Sequence, residues 1–318
     1  MRFSTIAALG FASVASAALI EHCIKPNTVA LTFDDGPFEY TNKLLDTLKA
    51  ANIKATFFIN GENYWPDLVN QPENQLAIKR AHAEGHQVAS HTWQHKIPEI
   101  QDDVMDVPRT YESLSKIEQL IYNNTGVYPT YFRAPKGEIT EEYIKFFENI
   151  GYRVIQWDYD PNDWKSEVDG IEYKDNYGPR VKKVKEELPQ VAAEKRENYL
   201  ILMHDAKQST VEEIVPFLIE NKLFDGYQFV TVAECLGDPT GGWSKIGNAI
   251  TVMNGGKVEP VGEISQTTVP ANNTLTGNRS VAGTDADKMN LEKSGAMTST
   301  VSLSVFITLF MSALYMLF

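Results

Sequence analysis

Short apolar runs alternate with helix-length amphipathic segments throughout the chain between Cys23 and Cys235, and this alternation limits the fold more than any other feature. We predict strands at Thr28–Phe33, Ala55–Ile59, Gln87–Ser90, Thr130–Arg133, Arg153–Trp157, Tyr199–Met203 and Gln228–Val232. We predict helices at Thr41–Ala51, Glu73–Glu84, Arg109–Tyr122, Thr140–Ile150, Val181–Lys195 and Val211–Asn221. Strands separated by helices form parallel sheets, and at this length one closed or nearly closed barrel is favoured over two domains. The sequence therefore predicts an α/β fold, a distorted (β/α) barrel of about seven parallel strands.

The two cysteines of the chain lie at the two ends of this alternating region. In an oxidising secretory compartment a single pair has one intramolecular partner choice, so we predict a disulfide between Cys23 and Cys235. The loop-entropy model assigns roughly 5 kcal/mol of stability to a bridge that closes so long a loop. We place one folded domain at residues 19–238, with the bridge holding its ends together.

Both ends of the chain carry segments that are typical of targeting rather than of a packed core. Residues 1–18 contain an early positive charge at Arg2, an apolar run and then small residues, which is the layout of a cleaved secretory signal peptide. Residues 301–318 carry no charge and end in an apolar run, and a polar stretch separates that run from small residues that begin at Ser294. This layout predicts a GPI-attachment signal with Ser294 as the attachment site, and a tail-anchored helix is the alternative.

Residues 239–300 are rich in small and polar residues, and we predict a disordered Ser/Thr/Gly-rich stalk. The net charge of −13 argues against nucleic acid as a partner, because the phosphates would be repelled. We expect a glycosylated monomer that is secreted to the cell surface and held in the plasma membrane by a lipid anchor, in the cell wall, or in both. The acceptor sequons for N-glycosylation are at Asn123, Asn272 and Asn278.

Carboxylates, imidazoles and a guanidinium follow five of the predicted strands, at the point where each strand ends. In a parallel barrel these ends lie on one face, where the catalytic groups of such folds are found. Each segment alone has a plain structural explanation, such as a turn or a surface ion pair, but their joint occurrence indicates a site. The segments are Asp34-Asp35-Gly36-Pro37, His91-Thr92-Trp93-Gln94-His95, Arg133–Gly137, Asp158–Trp164 and His204-Asp205.

These residue types suit hydrolysis assisted by a metal ion. Two imidazoles and one carboxylate hold a divalent ion with positions left open, which is the arrangement of a catalytic site. Such an ion makes hydroxide available near neutral pH, and the second carboxylate of the Asp34-Asp35 pair is then free to accept the proton. His204 is the available general acid for a nitrogen leaving group.

With the first segment begun at Thr32 and the last given as Leu202-Met203-His204, the five segments resemble the motifs of a known family. It is the polysaccharide deacetylases with a NodB-homology domain, also called carbohydrate esterase family 4, and the chain is most similar to fungal chitin deacetylases. The resemblance covers about residues 23–236, with the motifs in the family's order. It implies a single Zn²⁺ or Co²⁺ ion held by Asp35, His91 and His95.

The resemblance also implies a role for each remaining motif residue. Asp34 is then the base that Arg133 orients, and His204 is the acid that Asp163 tunes. Leu202 and Trp164 line a pocket for the acetyl methyl group.

One motif departs from the family pattern, because this chain has Lys136 where tyrosine is usual. The backbone N–H that contacts the oxyanion in the family is still present in Lys136, while the aromatic ring beside the substrate is lost. We therefore expect the deacetylase chemistry to survive and the substrate preference to be altered.

The function predicted from these features is metal-dependent N-deacetylation of chitin, giving chitosan and acetate, in modification of a fungal cell wall. Removal of O-acetyl groups from xylan or another polysaccharide is the alternative within enzymes. A wall-bound sugar-binding protein with a decayed site is the alternative from another class, although the intact motif residues argue against it.

Overall fold

The computed structural model describes residues 19–64, 71–97, 100–101, 104–172 and 177–245. The predicted signal peptide, nearly all of the predicted stalk and the C-terminal segment 301–318 lie outside these residues. So do Asn272, Asn278 and Ser294. Within the ranges given, no helix combines the length and the apolar character needed to cross a bilayer.

Seven parallel strands form one sheet, in which β6, β1, β2, β3, β4 and β5 are neighbours in that order and β7 pairs with the start of β1. The strands are β1 Thr28–Asp34, β2 Ala55–Ile59, β3 Gln87–Ser90, β4 Tyr131–Phe132, β5 Arg153–Val154, β6 Asn198–His204 and β7 Gln228–Phe229. The six neighbouring strands curl into a half-barrel. The predicted distorted (β/α) barrel is therefore confirmed.

Helices connect the strands, as the alternating pattern predicted. They are α1 Thr41–Ala50, α2 Pro72–Ala83, α3 Val107–Thr125, α4 Glu141–Asn149, α5 Gly178–Ala193, α6 Val215–Glu220 and α7 Val232–Cys235. A 3-10 turn at Pro135–Gly137 and a π turn at Thr210–Ile214 are added to these. Short antiparallel pairs join Ile100–Gln101 to Val104–Met105, Glu167–Val168 to Ile171–Glu172, and Tyr128–Pro129 to Trp243–Ser244.

The gap between β5 and β6 is narrowed by chain segments that are not regular strands. Ile20 makes a parallel bridge to Ile155, and Tyr159 makes one to Ile201. Both oxygens of the Asp158 carboxylate lie 3.1 Å from the Leu200 backbone N–H, which donates to them in place of a neighbouring strand. Backbone groups that would be orphaned at this open seam are thereby satisfied.

Alternation along β1 decides which side chains enter the barrel. Val29, Leu31 and Phe33 pack with apolar residues of the surrounding helices. Ala30 instead packs with apolar residues of other strands inside the barrel. Successive side chains of a strand point to opposite faces, so Asp34 points inward like Ala30.

The amino ends of the strands are closed by the two ends of the domain. Cys23 and Cys235 form the predicted disulfide, with 5.1 Å between their Cα atoms. The seventh strand ends at Phe229 and not at Val232 as we predicted, because Thr231 caps α7: its side chain accepts from the Glu234 N–H. The paired segment Trp243–Ser244 extends the ordered chain past residue 238, where we predicted that the stalk begins.

Candidate active site

The carboxyl ends of the strands bring the five predicted segments together at one end of the barrel. Asp34 at the end of β1 is the register partner of His204 at the end of β6. The Arg133 N–H donates to the Ser90 carbonyl at 3.0 Å, which places Arg133 beside His91. We call this end of the barrel the catalytic edge.

Asp35, His91 and His95 each offer one ligand atom, and all three atoms lie within 4.8 Å of one another. Asp35 Oδ1 lies 3.1 Å from His95 Nε2 and 3.6 Å from His91 Nε2. Asp35 Oδ1 is buried and accepts no hydrogen bond within the described part of the chain. A carboxylate and two imidazole nitrogens are the ligand types that divalent transition metals prefer, so these residues fit such an ion.

His91 is held in the form that a metal ion requires. Its Nδ1 lies 2.8 Å from the Arg133 carbonyl oxygen, so Nδ1 carries the proton and donates it while Nε2 keeps a free lone pair. Burial lowers the pKa of His91 to about 4, although the charge of Asp34 opposes this. At neutral pH the His91 ring is therefore uncharged and can act as a ligand.

Asp35 is the complementary anion. Its burial favours the neutral form, but the imidazoles of His95, His204 and His91 outweigh burial and hold the pKa of Asp35 below its usual value. The backbone of Asp35 is left-handed, with φ of 76°. This conformation is uncommon outside glycine and is concentrated at functional sites.

Asp34 is oriented by a fully buried arginine. Arg133 Nη1 donates to Asp34 Oδ1 and to Thr32 Oγ1, both at 2.7 Å, and Nη2 donates to the Gln156 carbonyl at 2.8 Å. The guanidinium also lies 4.1 Å from the centre of the Phe58 ring. A charge-assisted hydrogen bond in so rigid a setting fixes the direction of the Asp34 carboxylate.

His204 is paired with a second buried carboxylate. Asp163 Oδ1 lies 2.8 Å from His204 Nδ1, and Asp163 Oδ2 accepts from the His204 N–H at 2.9 Å and from Thr210 Oγ1 at 2.5 Å. Burial opposes a charge on His204, yet Asp163 outweighs it and raises the pKa of His204 to about 9. At neutral pH the imidazole is therefore protonated and can act as an acid.

The remaining predicted residues lie around these groups. Leu202 has the same parity on β6 as His204, is buried, and so lies below it inside the barrel. The Trp164 side chain donates a hydrogen bond to Asp160, which fixes the indole. Lys136 is half-buried in the 3-10 turn after β4 and has a left-handed φ of 59°.

Several residues that support the site were not predicted from sequence. Asn60, which follows β2, donates from Nδ2 to the His91 and Thr92 carbonyls at 2.6 and 3.0 Å. Thr210 also contacts a motif residue, because its hydroxyl donates to Asp163. Thr32, Asp160 and Asp205 lie within the predicted motifs, although no role was predicted for them. Asn60 and Thr210 lie outside the motifs, so only their positions after a strand and at the start of the π turn could have indicated them.

Two further side chains lie near the site and on the surface. Trp93, in the second motif segment, is buried, and a side chain on Gly61 would overlap its ring. Asn123 is exposed on α3, and its glycosylation stays a prediction.

Comparison with known proteins identifies a family and relatives with similar sequences. The model of the polysaccharide deacetylase family matches residues 22–155. A chitin deacetylase of Pestalotiopsis sp. is 34% identical over 241 residues, which are 74% of this chain and 72% of the relative. A chitin deacetylase of Colletotrichum lindemuthianum is 33% identical over 236 residues, which are 71% of this chain and 86% of the relative.

Solved structures show the same fold. The Colletotrichum lindemuthianum chitin deacetylase matches with a TM-score of 0.63 at 30% identity, over 73% of this chain and 97% of that chain. The peptidoglycan deacetylase PdaC from Bacillus subtilis matches with a TM-score of 0.51 at 27% identity, over 68% and 92%. The chain therefore belongs to the polysaccharide deacetylase family, the NodB-homology domains of carbohydrate esterase family 4, and is a hydrolase that acts on N-acetyl groups.

Proposed function

We propose that the protein hydrolyses the N-acetyl groups of chitin with the help of one Zn²⁺ or Co²⁺ ion, giving chitosan and acetate. One observation carries the proposal: three converging ligand atoms lie beside two buried ion pairs. One of these pairs contains the proposed base, and the other contains the proposed acid. The ligands are those of Asp35, His91 and His95, and the pairs are Asp34–Arg133 and Asp163–His204.

Asp34 is the general base in this proposal. When bound, the ion supplies a nucleophile at neutral pH and polarises the acetyl carbonyl. Asp34 Oδ2 lies 3.7 Å from His91 Nε2, so the carboxylate is beside the ligand atoms without being fixed to them. Because Arg133 holds Asp34 Oδ1, Oδ2 is the oxygen that accepts the proton as water adds to the carbonyl carbon.

His204 completes the reaction as the general acid. When the C–N bond breaks, the amine leaving group needs a proton, which the Nε2 atom of His204 donates. Asp163 fixes the opposite ring nitrogen, so Nε2 is the atom directed to the substrate. An alkoxide leaving group needs this proton less than an amine does, and a protonated His204 therefore favours amide over ester substrates.

The acetyl group itself is bound by apolar and backbone groups. We assign the pocket for its methyl group to Leu202 and Trp164, with the indole held by Asp160. The backbone N–H of Lys136 donates to the developing oxyanion. Neither role needs the Lys136 side chain.

Chitin is the proposed substrate because the curated relatives described above are chitin deacetylases. Peptidoglycan is the competing N-acetylglucosamine polymer, because PdaC is a peptidoglycan deacetylase with the same fold. Acetylated xylan is the competing ester substrate. Acetate release should be compared on chitin oligomers, peptidoglycan and acetylated xylan at equal acetyl concentration.

The metal requirement is tested on the same assay. A chelator should abolish acetate release, and Zn²⁺ or Co²⁺ should restore it. Full activity in a rigorously metal-free preparation would overturn the mechanism, whereas metal-dependent activity on xylan alone would overturn only the substrate.

We further propose that the mature protein is a monomer linked by a GPI anchor to the cell surface, where it modifies the wall. The predicted attachment site Ser294 and the uncharged segment 301–318 support this. Phosphatidylinositol-specific phospholipase should release the protein from cells, and deletion of 305–318 should send it into the medium. Retention on the membrane after lipase treatment, with the C-terminal peptide still present, would identify a tail-anchored protein instead.

A further inference from the structure

Asp205 is a fully buried carboxylic acid at the catalytic edge that the mechanism above does not use. It follows His204 directly, and it lies against the turn that carries Asp34 and Asp35. A side chain on Gly36 would overlap the Asp205 carboxylate, so the acid occupies the space that only a glycine in this turn leaves open. Burial raises the pKa of Asp205 to about 7.

A chain of two hydrogen bonds connects Asp205 to the far side of that turn. Thr41 Oγ1, at the first residue of α1, donates to Asp205 Oδ2 at 2.5 Å. The same hydroxyl accepts from the Phe38 backbone N–H at 2.8 Å. These bonds therefore link Asp205, which follows β6, to the segment that runs from Asp34 to Thr41. The side chains of Asp205 and Thr41 are both buried.

We infer that Asp205 is a positioning residue: acting through Thr41, it holds the turn after β1 in the conformation that directs Asp35 to the metal ion and Asp34 to the substrate. This inference rests on the metal site and the base assigned in the proposed function. Asp205 is thereby assigned a supporting role and not a catalytic one.

The backbone of the turn explains why such support is needed. Asp35 has a left-handed φ, which is uncommon outside glycine and persists only where surrounding contacts determine it. The Gly36 carbonyl accepts from the Asn60 N–H at 2.9 Å on one side of the turn. The Asp205–Thr41 pair supplies the contact on the other side.

Metal affinity gives a readout that does not depend on turnover. Asp205→Ala should weaken Zn²⁺ binding, measured by calorimetry, by about 10- to 100-fold, which is the usual effect of losing a residue that orients ligands. It should lower kcat by a similar factor and change KM for chitin oligomers less than about 2-fold. Asp205→Asn, which keeps an oxygen acceptor for Thr41, should bind Zn²⁺ within about 3-fold of the wild type.

Thr41 provides the second arm of the experiment and remains decisive if Asp205→Ala does not fold. Thr41→Val removes the hydroxyl at nearly constant volume and should weaken Zn²⁺ binding by roughly 5-fold, whereas Thr41→Ser should retain the wild-type affinity. Thr56→Val is the matched control, because it removes an equally buried hydroxyl at the opposite end of the barrel. It should lower stability without changing metal affinity.

A double-mutant cycle decides whether the two residues act together. If Asp205 acts through Thr41, the effects of Asp205→Ala and Thr41→Val on Zn²⁺ affinity and on unfolding of the metal-free protein will not add. Additive effects, or an Asp205→Ala variant with wild-type affinity and kcat, would overturn the inference. A wild-type protein that binds no divalent ion would instead overturn the proposed function, and the unfolding cycle would still decide whether the two residues are coupled.

Discussion

The two ends of the barrel solve the burial of polar groups in opposite ways. At the amino ends of the strands the buried polar side chains are neutral and share partners: Gln87 Oε1 accepts from both Thr56 Oγ1 and the Ala233 N–H. At the catalytic edge the buried groups are ionisable, and the guanidinium of Arg133 and the carboxylate of Asp35 lie among them. Buried charges are costly unless they are paired, so this end lowers the stability that the other end supplies.

Unfavourable backbone conformations also occur at the catalytic edge. Of the eleven left-handed non-glycine residues in the described part of the chain, five lie in the motif segments, at Asp35, Thr92, His95, Lys136 and Asn162. Thr92 is β-branched, so its φ of 72° is especially unfavourable. The comparison indicates that contacts with the rest of the fold impose the backbone conformation of the catalytic segments. These segments would not prefer that conformation in isolation. Variants at the two ends should therefore separate activity from stability.

The largest effect is expected from removing the charge of Asp34. Asp34→Asn should lower kcat by about 10²- to 10⁴-fold, the usual contribution of a positioned base, while metal content stays near normal. It should also destabilise the protein, because Arg133 stays buried without an ionised partner. Acetate release, metal analysis and denaturant unfolding measure the three quantities.

Two variants control this prediction. Asp35→Asn should lose the metal ion, and if Asp34→Asn lost it instead, the base and ligand assignments would have to be exchanged. Asp238→Asn changes a carboxylate at the amino end that accepts from Tyr131 Oη at 2.9 Å, and it should leave kcat unchanged.

Removal of the disulfide should lower the stability of the protein and leave its activity nearly unchanged. The bridge joins residues 212 positions apart, and replacing both cysteines by serine should lower the free energy of unfolding by roughly 2–5 kcal/mol. At a temperature where the variant is folded, kcat should stay within about 2-fold of the wild type, because Cys23 and Cys235 lie at the opposite end from the motifs. A fall in kcat as large as the stability loss would show that the two ends are not independent.

The alkaline side of the pH dependence should report on the Asp163–His204 pair. The pKa of His204 is raised from 6.5 to about 9 in the folded protein, so the charged imidazole stabilises the fold fully below pH 6.5 and loses that effect as the pH rises through 9. Activity that needs this proton should decline over the same alkaline range. Asp163→Asn removes the charge that raises the pKa of His204, so burial then lowers that pKa. The alkaline limb of kcat/KM should therefore move to lower pH by about two units.

An NMR titration of the His204 ring in both proteins checks the cause of that shift. Thr210→Val, which leaves the Asp163 charge in place, should move the limb much less. An unmoved limb in Asp163→Asn would assign the acid to another group.

The catalytic edge could be predicted from the sequence because its residues follow parallel strands. The carboxyl ends of parallel strands lie at the same end of a barrel, so these residues come together there. All ten predicted catalytic, pocket and ligand residues lie at or beside that edge. The disulfide was also predictable, because the chain has a single pair of cysteines.

What the sequence could not predict depends on tertiary packing. The strands at Tyr131–Phe132 and Arg153–Val154 are shorter than predicted. After Val154 the chain continues as a single bridge between Ile155 and Ile20 and not as a regular strand. The roles of Thr32, Thr41 and Asn60 could not be predicted, because each depends on a partner that is distant along the chain. Left-handed backbone at Thr92 and Lys136 contradicts local preference, and only the fold imposes it.

The smallest effect is expected at Lys136, where the backbone and the side chain can be separated. Glycine adopts a φ of 59° without strain, so Lys136→Gly should stabilise the protein by at most about 1 kcal/mol after its greater chain entropy is counted. Asn27→Gly, at a left-handed residue of the amino end that tolerates this conformation, should gain less. Denaturant unfolding of both variants measures the difference.

Activity measurements then separate the role of the Lys136 backbone from that of its side chain. Glycine and tyrosine both keep the backbone N–H, so kcat should stay within about 3-fold in Lys136→Gly and Lys136→Tyr. Lys136→Tyr should change KM for chitin oligomers more than kcat, because a ring that packs on sugar replaces a cation. It should also favour partly deacetylated oligomers, whose cationic glucosamine units the lysine repels. Losing an oxyanion contact typically lowers kcat by about 10²- to 10³-fold, and a fall of that size with unchanged KM would mean that the lysine side chain itself stabilises the transition state.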